Sequence, residues 1–208
     1  MTRAGRAEVV VATSNAGKLR EFRALLGDLP LVLLGLADLP PVHFPDEGDD
    51  YAANAREKVR AASQQLGRIA LAEDSGLEVE GLGGAPGPHS ARYGGPDLDD
   101  AGRVARLLSE LRGLRGDARR ARFVCVAALA VPGAPVVTAR GECPGRILEV
   151  PAGGGGFGYD PVFAPEEGGD PARAMAELPA ELKNRISHRA AALRGLSDDL
   201  RALAARIG

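Results

Sequence analysis

Short apolar runs alternate with amphipathic stretches along the chain. Val9-Val10-Val11-Ala12 is β-branched and apolar, which predicts a buried first strand. After the polar stretch Thr13-Ser14-Asn15-Ala16-Gly17-Lys18, the residues Leu19, Phe22, Leu25 and Leu26 recur at helical spacing until Gly27. Residues 31–34 predict a second strand, and residues 51–66 an alanine-rich helix that carries Asn54 and Lys58 one turn apart. Ile69-Ala70-Leu71-Ala72 predicts a short third strand that ends at Glu73-Asp74-Ser75-Gly76. Five glycines between positions 76 and 87, with Pro86 and Pro88, predict a tight loop beyond it. Residues 97–114 form an amphipathic helix with Val104, Leu107, Leu108 and Leu111 inward, and residues 112–122 read as a solvated basic turn. Residues 123–131 are apolar throughout, as in a central strand covered on both faces. A Pro-Gly-Ala-Pro turn leads into residues 136–139, its hairpin partner, and residues 143–150 predict a further strand. Near the end, residues 178–183 are a short helical turn. Ser187 caps a final helix whose stripe is Ile186, Ala190, Leu193, Leu200, Leu203 and Ile207. The pattern predicts an α/β protein: a central mixed β-sheet flanked by helices, one domain over residues 1–208 built as two lobes sharing a core.

Composition narrows the partners. Hydrophobic content of 45% and charged content of 26% are ordinary for a water-soluble globular protein. A net charge of −2 excludes a nucleic-acid or membrane partner held by bulk electrostatics, so any anion site must be local. The start Met1-Thr2-Arg3-Ala4-Gly5-Arg6 lacks the apolar core of a leader, and no apolar run reaches membrane-spanning length, so the expected location is cytoplasmic. Cys125 and Cys143 lie in apolar or strand-like surroundings without metal spacing and read as buried reduced thiols. Of 26 basic residues only Lys18, Lys58 and Lys183 are lysine. Codon bias is the plain reading of that scarcity; the surviving lysines either mark places that need a compact ammonium or carry no such meaning.

Candidate chemistry gathers at four places. Glu73 and Asp74 follow an apolar strand, where open α/β sheets bind ligands, and alternation sends their side chains to different partners unless the strand has already ended. Oxygen ligands there suit Mg²⁺, which takes one or two carboxylates, waters and substrate phosphates. The stretch from Thr13 to Lys18 (strand, polar loop, helix start) aims free N–H groups and a dipole end at an anion, or is simply a capped helix. It is no Walker loop, because Leu19 replaces the required Ser/Thr and an earlier glycine is missing. The acidic loop Asp46-Glu47-Gly48-Asp49-Asp50 either is solvated or completes a metal site with Asp74. Last, Phe157 and Tyr159 sit in a glycine-rich stretch with Phe163 close behind, three of the chain's eight aromatic residues within seven positions. Their faces suit base stacking. His188 and Arg189 lie in the first turn of the final helix, off its apolar stripe and free to meet a ligand.

In this order and spacing, the segments resemble the inosine triphosphate pyrophosphatase family, the XTP/dITP diphosphatases that act on non-standard purine nucleoside triphosphates. The resemblance runs from Val9 to about Leu193, on Thr13-Ser14-Asn15-Ala16-Gly17-Lys18, Asn54-Ala55-Arg56-Glu57-Lys58, Glu73-Asp74-Ser75-Gly76-Leu77, Leu82-Gly83-Gly84-Ala85-Pro86-Gly87, Ser90-Ala91-Arg92-Tyr93, the Phe157 segment through Phe163, and Ser187-His188-Arg189-Ala190. It implies an elongated two-lobed fold with an inter-lobe cleft, a homodimer, Mg²⁺ dependence, and hydrolysis of ITP, dITP or XTP to the monophosphate and pyrophosphate. By the same resemblance, Thr13, Ser14, Asn15, Ala16, Gly17 and Lys18 form the triphosphate loop, with Lys58 a further phosphate contact. Asp74 matches the metal ligand and catalytic base, and Ser75 a substrate contact. Phe157, Gly158, Tyr159, Asp160, Lys183, His188 and Arg189 match the base-binding wall. Two positions depart from the pattern. The family's second metal glutamate aligns with Asp46, one methylene shorter, so either Asp46 or Glu47 takes that role beside Asp74, with Glu73 a further candidate. The family's acid before the Asn-Ala pair is Ala53. Two other readings stay open: a pyrophosphatase for other modified nucleotides, and a nucleotide-binding module that does not hydrolyse.

Overall fold

A computed structural model of the chain describes residues 6–205; Met1 to Gly5 and Ile207, the last position of the expected stripe, lie outside the described residues. Strand β1 (Ala7–Val11) pairs in parallel with β2 (Leu31–Gly35) on one side and with β3 (Ala70–Val79) on the other. The helix between β1 and β2 is α1 (Ala16–Leu25), and that between β2 and β3 is α2 (Tyr51–Leu66). The first crossover steps from β1 out to β2 and the second returns from β2 past β1 to β3, so right-handed connections running in opposite directions put α1 and α2 on opposite faces of the sheet. Helix α2 keeps the bounds its pattern predicts: Asp50 accepts the Ala53 N–H at 2.8 Å at its start, and Gly67 takes the left-handed φ of 63° at its end.

The sheet continues through β5 (Arg120–Ala130), β6 (Val137–Ile147) and β7 (Phe163–Pro165) in the order β2-β1-β3-β5-β6-β7, while β4 (Pro86–Gly87) pairs antiparallel with β3. With parallel pairs at one end and antiparallel β6–β7 at the other, it is the expected mixed sheet. The remaining helices are α3 (Asp100–Glu110), α4 (Ala180–Ile186), α5 (His188–Gly195) and α6 (Ser197–Ala205).

The described chain divides into two compact units. The first takes the residues up to Asp74, Val126–Gly141 and those from Ala192 on; the second takes Ser75–Cys125 and Glu142–Ala191. In the first, Val9, Val10, Val11, Phe22, Val59 and Leu71 are fully buried. In the second, Leu77, Leu107, Leu111, Ile147, Val162 and Phe163 form the core, with Phe123 edge-on to Phe163 at 4.6 Å between centroids. Cys125 and Cys143 are free and buried, and burial pushes the Cys143 thiol up to about 12.

Four expectations need correction. Strand β3 does not stop at Ala72 but carries Glu73 to Val79 as strand, because β4 and the Ser90 hydroxyl, at 2.8 Å from the Leu77 N–H, continue its pairing. Residues 136–139 and 143–150 are not two strands: β6 runs unbroken from Val137 to Ile147, with Gly141 and Pro144 inside it. The basic segment is not all solvated. Arg119 is 5% exposed and donates to the carbonyls of Leu111, Leu114, Ile147 and Leu148 at 2.9–3.3 Å. The final helix is two, α5 and α6, separated at buried Leu196.

Candidate functional site

In the first unit, the stretch after β1 caps its own helix. The Asn15 carboxamide oxygen accepts the Lys18 N–H at 3.0 Å, and the Thr13 hydroxyl accepts the Asn15 N–H at 3.1 Å. Other first-turn N–H groups of a helix have no intrahelical acceptor, which makes this an anion-facing end. Ser14 is exposed there, and Gly17 is buried. The Lys18 ammonium bonds Glu73 at 2.7 Å, and the Glu73 side chain is 1% exposed.

Because β3 is still strand at these positions, Glu73 and Asp74 point to opposite faces. Glu73 goes to Lys18 on α1, and Asp74 goes to α2. One Asp74 carboxylate oxygen, Oδ2, accepts from Asn54 Nδ2 at 2.8 Å; the other, Oδ1, accepts from Lys58 Nζ at 3.3 Å. Lys58 also donates to the Glu73 carbonyl at 3.3 Å and bonds the Glu47 carboxylate. Asp74 is 3% exposed. Burial raises its pKa, and although Lys58 and the Asn54 hydrogen bond pull the other way, the carboxyl ends above its ordinary value. For Lys58, burial lowers the pKa, but the charges of Asp74 and Glu47 outweigh it and hold the ammonium above the usual lysine range.

Of the two acids left open at the second metal position, the structure brings Glu47 to this cluster, while Asp46 is exposed. Glu73 is engaged by Lys18 on the other face of the strand. Ser75, next in β3, is half-buried. Among the described residues no three His, Cys, Asp or Glu side chains converge as a protein-only metal cage. Asp74 and Glu47 share one ammonium instead, and two carboxylates are the donor set that suits a hard ion completing its shell with water and substrate phosphate. The residues present therefore fit Mg²⁺.

In the second unit, buried Asp160 organises the aromatic stretch. Its Oδ2 accepts the Phe157 N–H at 2.9 Å and the Lys183 ammonium at 2.5 Å. Gly156 permits this approach: it has φ of 76°, and a Cβ there would lie 2.0 Å from the Asp160 oxygen. Asp100 on α3 accepts the Gly158 N–H at 2.8 Å. Lys183 and Arg189 lie over the half-buried Phe157 ring, at 5.1 and 5.9 Å from its centroid.

Three residues expected to face a ligand freely are buried. Tyr159 is 5% exposed and donates its hydroxyl to the Ser90 carbonyl at 3.0 Å; burial is the main cause that raises its pKa. His188 stacks on Phe123 at 4.8 Å, and Arg189 is 1% exposed. Ser187 does cap α5, accepting the Ala190 N–H at 3.1 Å, and the following pair is buried. Asn54, Ser90 and Asp100 were not singled out as site residues. Asn54, one helical turn before Lys58, and Ser90 lie in stretches that carry the family resemblance; Asp100 carries no signal in the sequence.

A capped helix start beside a buried carboxylate–lysine cluster defines an α/β protein with a built anion site. The sequence model of the Ham1 family matches residues 9–199, and the chain belongs to that family. Proteins called dITP/XTP pyrophosphatase are 49% identical in Geobacillus kaustophilus, covering 92% of this chain and 93% of the relative, and 48% identical in Geobacter sulfurreducens, covering 92% and 96%. Among solved structures, the Staphylococcus aureus Ham1 protein superposes with a TM-score of 0.80 at 36% identity over 94% of this chain and 98% of its own. The Coxiella burnetii HAM1 protein gives 0.81 at 37% over 94% and 99%.

Proposed function

We propose that this protein hydrolyses non-standard purine nucleoside triphosphates (ITP, dITP, XTP) to the monophosphate and pyrophosphate. The observation that carries the reading is the buried Asp74, held by Asn54 and Lys58 and joined through Lys58 to Glu47. Its relatives named dITP/XTP pyrophosphatase supply the substrate class.

A nucleoside triphosphate brings about four negative charges into a chain of net charge −2, so donors must be concentrated locally. Lys18, Lys58 and the first-turn amides of α1 supply them. Asp74 and Glu47 would hold Mg²⁺, which when bound offsets phosphate charge and lowers the pKa of bound water. Asp74 orients the water that attacks the α-phosphorus and is the proton acceptor for it. Pyrophosphate then leaves in line. In the second unit, the Phe157 ring offers a stacking face, and the Lys183 ammonium supplies a donor that suits the O6 acceptor of hypoxanthine or xanthine and opposes the amino group of adenine, while buried Arg189 adds its charge 5.9 Å from the ring centroid. The protein acts as a cytoplasmic homodimer on free nucleotides. Among the described residues no helix is long and apolar enough to cross a membrane.

Pyrophosphate release from ITP, XTP, GTP and ATP, with Mg²⁺ or with EDTA, tests the reading. Release from ITP and XTP well above that from ATP, and only with the metal, is expected. Comparable rates on ATP and ITP would remove the base-recognition part; no release from any of them would remove the whole.

A further inference from the structure

Residues 40–48, the acidic loop between β2 and α2, carry neither strand nor helix, yet two amide side chains of α2 clamp them in the same manner. Gln65 accepts the His43 N–H at 3.0 Å and donates to the His43 carbonyl at 2.8 Å. About three helical turns earlier, Asn54 accepts the Gly48 N–H at 2.8 Å and donates to the Gly48 carbonyl at 2.9 Å. The clamps differ in one respect. A carboxamide nitrogen carries two hydrogens, and Asn54 gives its second to Asp74 Oδ2 at 2.8 Å. Asn54 is 4% exposed, so its donors and acceptor are committed to these partners.

Gly48 is the chain neighbour of Glu47. Fixing the Gly48 peptide against the same side chain that holds Asp74 therefore fixes where the Glu47 carboxylate begins. We infer that Asn54 is a positioning residue that sets the spacing between Glu47 and Asp74 and so assembles the two-carboxylate half of a divalent-cation site before the cation arrives. The inference rests on the metal-dependent reading above. Asparagine is the side chain this task needs. Aspartate would have no hydrogen for Gly48 or Asp74 and would add a third negative charge; glutamine would push the clamp one methylene outward. Residues that orient metal ligands in this way typically contribute about 10–100-fold in metal affinity.

The test is Mn²⁺ binding to the nucleotide-free protein, followed by the electron paramagnetic resonance of unbound Mn²⁺, on wild type, Asn54→Ala, Glu47→Gln, the double variant and Gln65→Ala. Asn54→Ala should weaken binding about 10–100-fold. Gln65→Ala, which opens an equivalent clamp remote from Asp74, should change it less than about threefold. If Asn54 acts through Glu47, the double variant should bind within about threefold of Glu47→Gln alone, because coupled residues are not additive. Should Asn54→Ala not fold, Asn54→Ser takes its place in the same comparison. Wild-type affinity in Asn54→Ala, an equal loss in Gln65→Ala, or a double variant weakened by the product of the two singles would each overturn the inference. Wild type that binds no Mn²⁺ also overturns it. Weakened Mn²⁺ binding in Asn54→Ala, in a protein that releases no pyrophosphate from ITP, would leave the positioning role standing and remove the proposed reaction.

Discussion

Asp74→Asn separates what the buried carboxylate does for chemistry from what it does to stability, and the two effects have opposite signs. The substitution keeps the size of the side chain and leaves an oxygen to accept from Asn54 Nδ2. Loss of a positioned general base costs about 10²–10⁴ in rate, which is roughly 3–5 kcal/mol on the barrier. Stability moves the other way. Burial is the largest influence on Asp74 and raises its pKa above 3.8 in spite of Lys58 and Asn54, so the folded protein holds this proton more tightly than the unfolded chain does. Such a group contributes stability below the unfolded value, and the contribution is lost as pH rises through the folded one. At neutral pH the ionised carboxylate is therefore a burden that the amide lacks. Each tenfold tightening of proton binding corresponds to about 1.4 kcal/mol, or roughly 3–6 °C in a chain of this length. Thermal melts of both proteins in EDTA, from pH 4 to 8, should show Asp74→Asn melting higher at pH 7–8, with the curves converging as pH falls toward 4. The same preparation should release pyrophosphate from ITP at least about 100-fold more slowly. An Asn variant that melts below wild type at pH 8 refutes the burial argument. Normal turnover refutes the catalytic role.

Two further substitutions probe the second unit. Arg119→Met keeps the aliphatic stem but leaves the carbonyls of Leu111, Leu114, Ile147 and Leu148 without their guanidinium donors; about 3 kcal/mol should be lost, read as a fall of roughly 6–12 °C in Tm, and a Tm within 2 °C or so of wild type would show that water replaces the guanidinium. Asp160→Ala removes the acceptor that holds both the Phe157 N–H and Lys183, so KM for ITP should rise about 10-fold or more with kcat changed less, and Asp160→Asn, which keeps an acceptor for Phe157, should recover part of the loss; steady-state kinetics with unaltered KM in both would detach this carboxylate from base recognition.

Much of this was legible in the sequence because the early elements report themselves locally. The β-branched run at Val9, the cap at Asn15 and the Leu19/Phe22 spacing fix β1 and α1 without help from distant residues. What the sequence hid depended on partners far along the chain. Glu73 and Asp74 look like the end of a strand because charged residues usually sit outside sheets. Here α1 and α2 each bring a lysine to one acid, so the strand runs through them. Arg119 reads as one more arginine in a basic turn until four carbonyls converge on it. The pair His188-Arg189 lies off the helix stripe and so reads as solvent-facing, whereas Phe123, from another element, covers the imidazole. Which of Asp46 and Glu47 joins Asp74 through Lys58 could not be read from spacing, because it depends on how the loop lies against α2, where Asn54 bonds both polar groups of Gly48.

Adjacent acids serving opposite sides of one ribbon leave this enzyme little tolerance for length changes inside β3 before position 73. One inserted residue, with pairing to β1 retained, would move Glu73 into the place of Asp74 and Ala72 into the place of Glu73. The catalytic spot would receive an acid one methylene too long, and Lys18 would lose its anchor in the same event. A deletion would offer Ser75 to Lys58 and end the chemistry outright. Lineages of this protein should therefore vary freely in their surface loops while keeping the count of residues from Ala70, which pairs with Val10, to Asp74 constant.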